Sequence, residues 1–395
     1  MRYIGTTSRG IRTPIIKAGD NLEEIIVDSV LTASKKERFQ LRDRDIIGIT
    51  EAVVSIANNN YVTCEDVTEE IRKKFGNQEI GLVFPILSRN RFSLILEAII
   101  NACEKVHILF SYPSDEVGNH IIDPNDLLNV GINEYQNSFG EKKFRSLFGY
   151  KFKHEFTGLD YIEYYKSLGH KGQIIPHFSN DPRYLLKFTK NILCCDIHTR
   201  AITKKTMKEA GAEILYGLED ICTRKRKHKG YNKKYGLLGS NKVTENKLKL
   251  FPREEDSRIL IYGIQKKLKK LTGKEIEIMV YGDGAFKDPV GKIWELADPV
   301  VSPAFTKGLE GRPKEIKLKY VSENWNKDKE DLDKYVKQAI EEKHRKKDIH
   351  EKSFGTTPRQ LTDLLGSLCD LTSGSGDKGT PIVLIQGYFD DYLAK

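Results

Sequence analysis

The sequence predicts an α/β protein with some α+β character, and three observations carry that expectation. From Gln173 to Cys222, short apolar runs alternate with helical patterns: Ile174-Ile175, Arg183 to Thr189, Ile192 to Cys195, Thr203 to Ala210, and Glu213 to Tyr216. Such alternation implies parallel crossovers, with helices packed on a sheet. Amphipathic helical patterns elsewhere also lead into buried-looking strands, as Ser257 to Leu271 does before Ile276 to Tyr281. Finally, 395 residues with 39% hydrophobic and 31% charged side chains can build more than one core.

In chain order, Asp20 and Glu23 have capping-box spacing, and Leu22, Ile25, Ile26, Val30 and Ala33 follow at helical intervals. Ile46 to Ala57 is apolar and β-branched, so a strand is expected there. Phe92 to Glu104 has helical periodicity and feeds the strand Val106 to Phe110. Residues 123 to 165, rich in Asn, Phe, Tyr and Lys, show no clear period. Ser257 to Leu271 reads as a helix closed by Gly273, and Asp328 to Lys346 as a charged helix with Leu332, Tyr335, Val336, Ala339 and Ile340 on one face. Thr357 caps a further expected helix, with Pro358 at its first position and Leu361, Leu364, Leu365 and Leu368 facing inward. The strand Ile382 to Gln386 comes after it.

No apolar run reaches the roughly 20 residues of a membrane span, and Met1 to Gly5 does not open a secretory signal. Six scattered cysteines without a C-x-x-C pair suit a reducing, cytoplasmic setting. The net charge of +9 is concentrated in Arg224 to Lys234, which holds seven lysines and arginines and no acid. That run could meet phosphates, but only Tyr231 and Tyr235 supply aromatics nearby, so a solvated surface loop is expected over a nucleic-acid site.

Two segments point to chemistry. Asp283, between Gly282 and Gly284, stands where an apolar strand stops. A rigidly held carboxylate with close backbone approach suits a metal or phosphate, although Gly-Asp-Gly is equally good hairpin-turn chemistry. The second is Gly374-Ser375-Gly376-Asp377-Lys378-Gly379, whose small residues would let backbone N–H groups surround an anion. Its helix–loop–strand order and lack of Gly-Lys-Ser/Thr exclude a P-loop.

Four segments in order are Arg12 to Leu22, Asp43 to Ser55, Leu271 to Lys274 running into the Asp283 strand, and Gly374 to Pro381. Together they resemble the coenzyme F-420 gamma-glutamyl ligase family, across roughly residues 1 to 60 and 236 to 395. The resemblance implies a two-domain ligase-like core made of 1–65 and 236–395, with 66–235, including the basic loop 224–234, as an inserted α/β region. It also implies a usually dimeric enzyme using GTP (or ATP) with Mg or Mn. Such an enzyme phosphorylates a carboxylate and lets the amine of glutamate or a similar amino acid displace the phosphate. By the same resemblance, the nucleotide would meet Thr13, Pro14, Ile15, Ile16, Glu51, Ala52, Thr244, Gly374, Ser375, Gly376, Asp377, Lys378 and Gly379. The metal would meet Asp283, Asn241 and Glu51.

The chain departs from that pattern at several of these positions. Asn241 stands where the family has a second aspartate, Glu51-Ala52 where it has Ser-Thr, Ile56 where it has a lysine, and Ser375 where it has an acid. An amide oxygen still coordinates a cation but without a formal charge. A catalytically reduced nucleotide- or metabolite-binding protein of the same fold is the alternative these changes leave open.

Overall fold

A computed structural model describes residues 3–87, 91–116, 118–150, 158–226, 229–282, 285–287, 294–296, 303–312, 323, 325, 331–345, 360–373 and 378–390. In chain order the first elements are β1 (Thr7–Ile11), α1 (Leu22–Lys36), β2 (Ile46–Thr50), α2 (Glu51–Ala57), β3 (Tyr61–Thr63) and α3 (Cys64–Phe75). There follow β4 (Glu79–Val83), α4 (Arg91–Ala102), β5 (Lys105–Phe110), α5 (Pro124–Val130), β6 (Phe139–Gly140), α6 (Glu141–Phe148) and α7 (Tyr161–Ser167). Next come β7 (Ile174–Phe178), β8 (Asn191–Cys194), α8 (Arg200–Glu209), β9 (Ile214–Gly217), β10 (Asn241–Thr244), β11 (Lys247–Lys249) and α9 (Glu254–Thr272). The chain continues with β12 (Glu277–Tyr281), β13 (Ala285–Lys287), β14 (Trp294–Leu296), β15 (Ala304–Phe305), α10 (Leu332–Arg345), α11 (Leu361–Ser373) and β16 (Ile382–Gln386). The fold class is the mixed α/β one expected.

One sheet has the order β1-β16-β2-β12-β15. Its central strands are buried on both faces, which explains why they read as continuous apolar runs. On one face, Ile47, Ile49, Ile278, Val280, Ile382 and Leu384 pack with Ile26 and Val30 of α1 and Ile261 and Ile264 of α9. On the other, Ile46, Met279, Tyr281, Val383 and Ile385 pack with Leu361, Leu365 and Cys369 of α11. The period-2 alternation of Ile46 and Ile47 thus sorts neighbouring side chains into two helix-covered layers.

Gly48 lies on the α11 side, where an added Cβ would come within 2.3 Å of Cys369 Sγ and 3.3 Å of the Tyr281 ring. Close approach of helix to sheet, not a turn, requires this glycine. Gly48→Ala should therefore cost about 1–3 kcal/mol of stability through overpacking. Denaturant titration should show Cys369→Ala recovering part of that loss; a double variant no more stable than Gly48→Ala would contradict the assigned contact.

The second large sheet has the order β6-β7-β5-β4-β8-β9. β4 pairs in parallel with both β5 and β8, and β7 and β9 extend the parallel ladder on either side. Only β6 runs antiparallel, against β7. The strand–helix alternation at 173–222 accounts for β7, β8 and β9. β3, β11 and β10 form a small third sheet, and β13 pairs with β14.

Several local expectations are corrected. The run Ile46 to Ala57 is not one strand: β2 stops at Thr50 and α2 begins at Glu51. Thr50 stays extended (φ −64°, ψ 137°), and the acid in the first helical turn is favourable against the helix N-terminus. Burial of Val53, Val54 and Ala57 carries the helix although the two valines are β-branched, and Asn59, with φ 50°, helps end it. Helix α1 is capped by Asn21, whose side chain accepts from Glu24 N at 3.3 Å. Asp20 instead accepts from Lys17 N at 2.7 Å and so tightens the preceding turn.

Residues 182–187 form a 3-10 turn rather than an α-helix, with Pro182 at its start behind the Asp181 cap. Among the described residues helix α11 begins at Leu361, and Gln360 N donates to the Asp363 side chain at 3.0 Å. Thr357 and Pro358 lie outside the described residues. Gly273 closes α9 in the left-handed conformation, φ 71°, as the sequence suggests.

Candidate functional site

In the first sheet, β2 and β12 run parallel, and Thr50 pairs with Tyr281 where both end. At the same edge β16 begins and β1 ends, with Ile11 opposite Ile382 and Ile382 opposite Ile49. Two backbone hydrogen bonds close the edge: Thr50 N donates to Pro381 O at 3.0 Å, and Thr13 N to Gly379 O at 3.3 Å. The opening segment, the start of α2, the end of β12 and the close of the glycine-rich segment therefore meet in one place. The glycine-rich loop is gathered at its base, because Thr380 Oγ1 donates to Ser373 O at 2.8 Å. Gly374, Ser375, Gly376 and Asp377 lie outside the described residues, as does Asp283; Gly282, its neighbour, is buried.

The other expected contacts are distributed unevenly. Thr13 and Ala52 are half-buried, Pro14, Lys378 and Gly379 are exposed, and Ile15 is 86% exposed. Ile16 packs against the apolar face shared with α1 and α9. Asn241 and Thr244 sit exposed on β10, Asn241 directly opposite Lys249 and Thr244 opposite Lys247. Beneath the edge, burial pushes the Tyr281 phenol and the Cys369 thiol upward, so both stay protonated at neutral pH.

Glu51 is buried, and its Oε1 makes an ion pair with the buried Lys249 ammonium. Helix α2 and the turn after it are fastened to the segment after β11 by Ser55 Oγ donating to Leu250 O and Asn60 Nδ2 to Phe251 O, both at 2.7 Å. Those bonds set the distance over which Lys249 reaches Glu51. Lys249 was missed in the sequence, where it looks like one more solvated lysine. The available signal was its alternation with Leu248 and Leu250, both fully buried.

Among the described residues no three His, Cys, Asp or Glu side chains come together as a metal cluster. Asn241 is neutral, and a divalent cation at Glu51 would compete with an ammonium already bound there. The described donors do not by themselves fit Mg or Mn.

A groove of about 1190 Å³ opens at the start of α9, lined in part by Tyr231, Lys234, Arg253, Arg258, Tyr262 and Phe305. Arg253 stacks over Tyr231, 5.1 Å from the ring centroid. Much of the basic run is answered from within the protein: Arg226 reaches Glu70 at 3.2 Å, and Lys229 reaches Asp66 at 2.7 Å and Glu69 at 2.9 Å. Those acids all lie on α3. Lys227 and His228 lie outside the described residues. No helix among the described residues is long and apolar enough to cross a membrane.

Two facing layers of helices on a sheet, with strand ends and loops meeting at one edge, define an α/β protein whose site is built from distant parts of the chain. The sequence profile of the F420-0:gamma-glutamyl ligase family matches residues 10–387, and the chain belongs to that family. No curated protein matches it. Membership in a ligase family supports amide-bond formation with a nucleotide and a small-molecule substrate in general terms.

Proposed function

We propose that the protein is a GTP- or ATP-dependent ligase that joins glutamate, or a similar amino acid, to a carboxylate through an acyl phosphate. The observation that carries this reading is the meeting of the segments around Thr13, Thr50, Tyr281 and Gly379 at one sheet edge. An acyl phosphate forms only when nucleotide and carboxylate are held in line, so contributions from several strand ends suit the reaction. The acceptor carboxylate attacks the terminal phosphorus and releases the nucleoside diphosphate. The free amine then attacks the acyl carbon, phosphate leaves, and the amine proton passes to solvent.

In this reading Thr13 to Ile16, Glu51 with Ala52, Thr244 and the loop Gly374 to Gly379 surround the nucleotide. The groove at the start of α9 takes the acceptor, with Lys234 and Arg258 offering cations to its carboxylate, while Arg253 is held by Asp256. The reading relies on Asp283 for Mg or Mn, with Asn241 and Glu51 beside it. It includes a homodimer in the cytoplasm, and 66–235 as an insertion into the core formed by 1–65 and 236–395.

The test is phosphate release from GTP and ATP in the presence of candidate carboxylates. Release should depend on an added amino acid, and Asp283→Asn should remove it. The closed Glu51–Lys249 pair and Ile56 favour a second reading, a binding protein of the same fold without ligase activity. Failure to bind either nucleotide at millimolar concentration with magnesium or manganese would decide for that reading.

A further inference from the structure

Lys249 is 5% exposed, yet it carries an ammonium with three N–H donors. One donor goes to Glu51. Among the described residues nothing else accepts from the ammonium, so two of its donors have no acceptor among them. A buried cation is costly unless it is both paired and hydrogen-bonded, and an ion pair alone seldom repays the loss of water. Lys249 is therefore underused in the described structure, and its surroundings suggest what would use it. Its partner Glu51 directly follows Thr50, which touches both the end of β12 and the close of the glycine-rich segment. Its cross-strand neighbour is Asn241, whose side chain shares a face with it and reaches solvent.

We propose that Lys249 binds an anionic oxygen of the reactants through the two donors that Glu51 leaves open. The proposal rests on the ligase reading above and adds a residue that reading does not contain. The oxygen belongs either to a phosphoryl group of the nucleotide or to the carboxylate of the amino acid; both present a compact, strongly accepting oxygen to a point cation. Glu51 is then the resident counter-ion that keeps the ammonium aimed while no substrate is present. A single buried lysine on β11 supplies positive charge at a site where position 56 holds isoleucine.

The test uses the full chain and calorimetric titration with GTP–magnesium, ATP–magnesium and L-glutamate. Removing only the lysine would leave the buried Glu51 carboxylate without its ammonium and risk unfolding, so the informative variant is Glu51→Gln/Lys249→Met, which neutralises both partners. Melting temperature establishes that it folds. It should bind nucleotide or glutamate about 10- to 100-fold more weakly than the parent, the worth of a charge-assisted hydrogen bond. A loss confined to the nucleotides assigns the oxygen to phosphate, and one confined to glutamate assigns it to the carboxylate. Glu51→Gln alone retains the ammonium and so isolates what the carboxylate contributes; the double variant should bind at least about 10-fold more weakly than Glu51→Gln, and Lys249→Arg should recover part of the binding.

Unchanged affinity of the double variant for all three ligands would overturn the proposal while leaving the ligase reading in place. Glu51→Gln as weak as the double variant would also overturn it, by assigning the effect to the carboxylate. A parent protein that binds none of the three ligands would overturn both.

Discussion

Arg145→Met should cost about 3–5 kcal/mol of stability, the usual penalty for breaking a buried ion pair from one side. Arg145 is buried on α6, and its guanidinium forks onto Asp160 at 2.9 and 3.2 Å, with Glu163 at 3.0 Å. Asp160 also caps α7, accepting from Ile162 N and Glu163 N. That second task softens the loss and places the expectation toward the lower end of the range. A lysine at 145 keeps the charge but cannot make the two-pronged contact, so Arg145→Lys should fall between parent and Arg145→Met. Urea titration measures both. A loss from Arg145→Met below about 1 kcal/mol, the scale of a surface pair, would mean that α6 and α7 are held together by packing instead.

Acid should weaken the protein through His177. Its Nε2 lies 2.9 Å from His107 Nδ1, and Phe188 stacks on its ring at 4.1 Å. Burial first, then the charge of His107, lowers its pKa from the ordinary 6.5 to about 4. His107 is lowered too, by burial, with Glu79 opposing and Lys105 reinforcing the shift. The folded state therefore prefers neutral His177, while the unfolded chain takes up a proton at the ordinary value. The stabilisation is complete above pH 6.5 and is lost as pH falls from there toward 4. About 2–3 kcal/mol is at stake, from the size of the shift. Stability measured at pH 7 and at pH 4.5 should differ less in His177→Gln, which keeps a partner for His107 but cannot titrate. Equal differences in variant and parent would remove His177 from the account of acid sensitivity.

Much of the fold was legible because apolar periodicity survives wherever a strand or helix has one dominant environment. β12, β16, β5 and the β7–β9 alternation are of this kind. Ile46 to Ala57 was misjudged because a short apolar run looks the same as a buried strand or a buried helical turn, and only α2's attachment to Leu250 and Phe251 decides. The described residues of 123–150 and 158–165 resisted because aromatic clustering, not periodicity, organises them: Phe144 stacks on Phe178 at 3.7 Å and meets Tyr112 edge-on. The candidate site was half legible. Its segments stood out by their glycines and their order, whereas Lys249 is buried by contacts made across the chain, which no local pattern records.

The place of β16 carries a consequence for synthesis. It lies between β1 and β2, paired with both, so the strands made first have no shared ladder until nearly the last described residues have been made. On the ribosome, β1 waits unpaired and β2 keeps one edge open until β16 is made, whereas the six-stranded sheet, whose strands all lie within 79–217, can pair earlier. Sequence-distant pairing of this kind is slow, and waiting edges invite association with other chains. Biogenesis of this protein thus hinges on the interval before β16 emerges. Holdase chaperones would act on β1 and β2, and a nonsense mutation anywhere before β16 would leave β1 without the strand it pairs with.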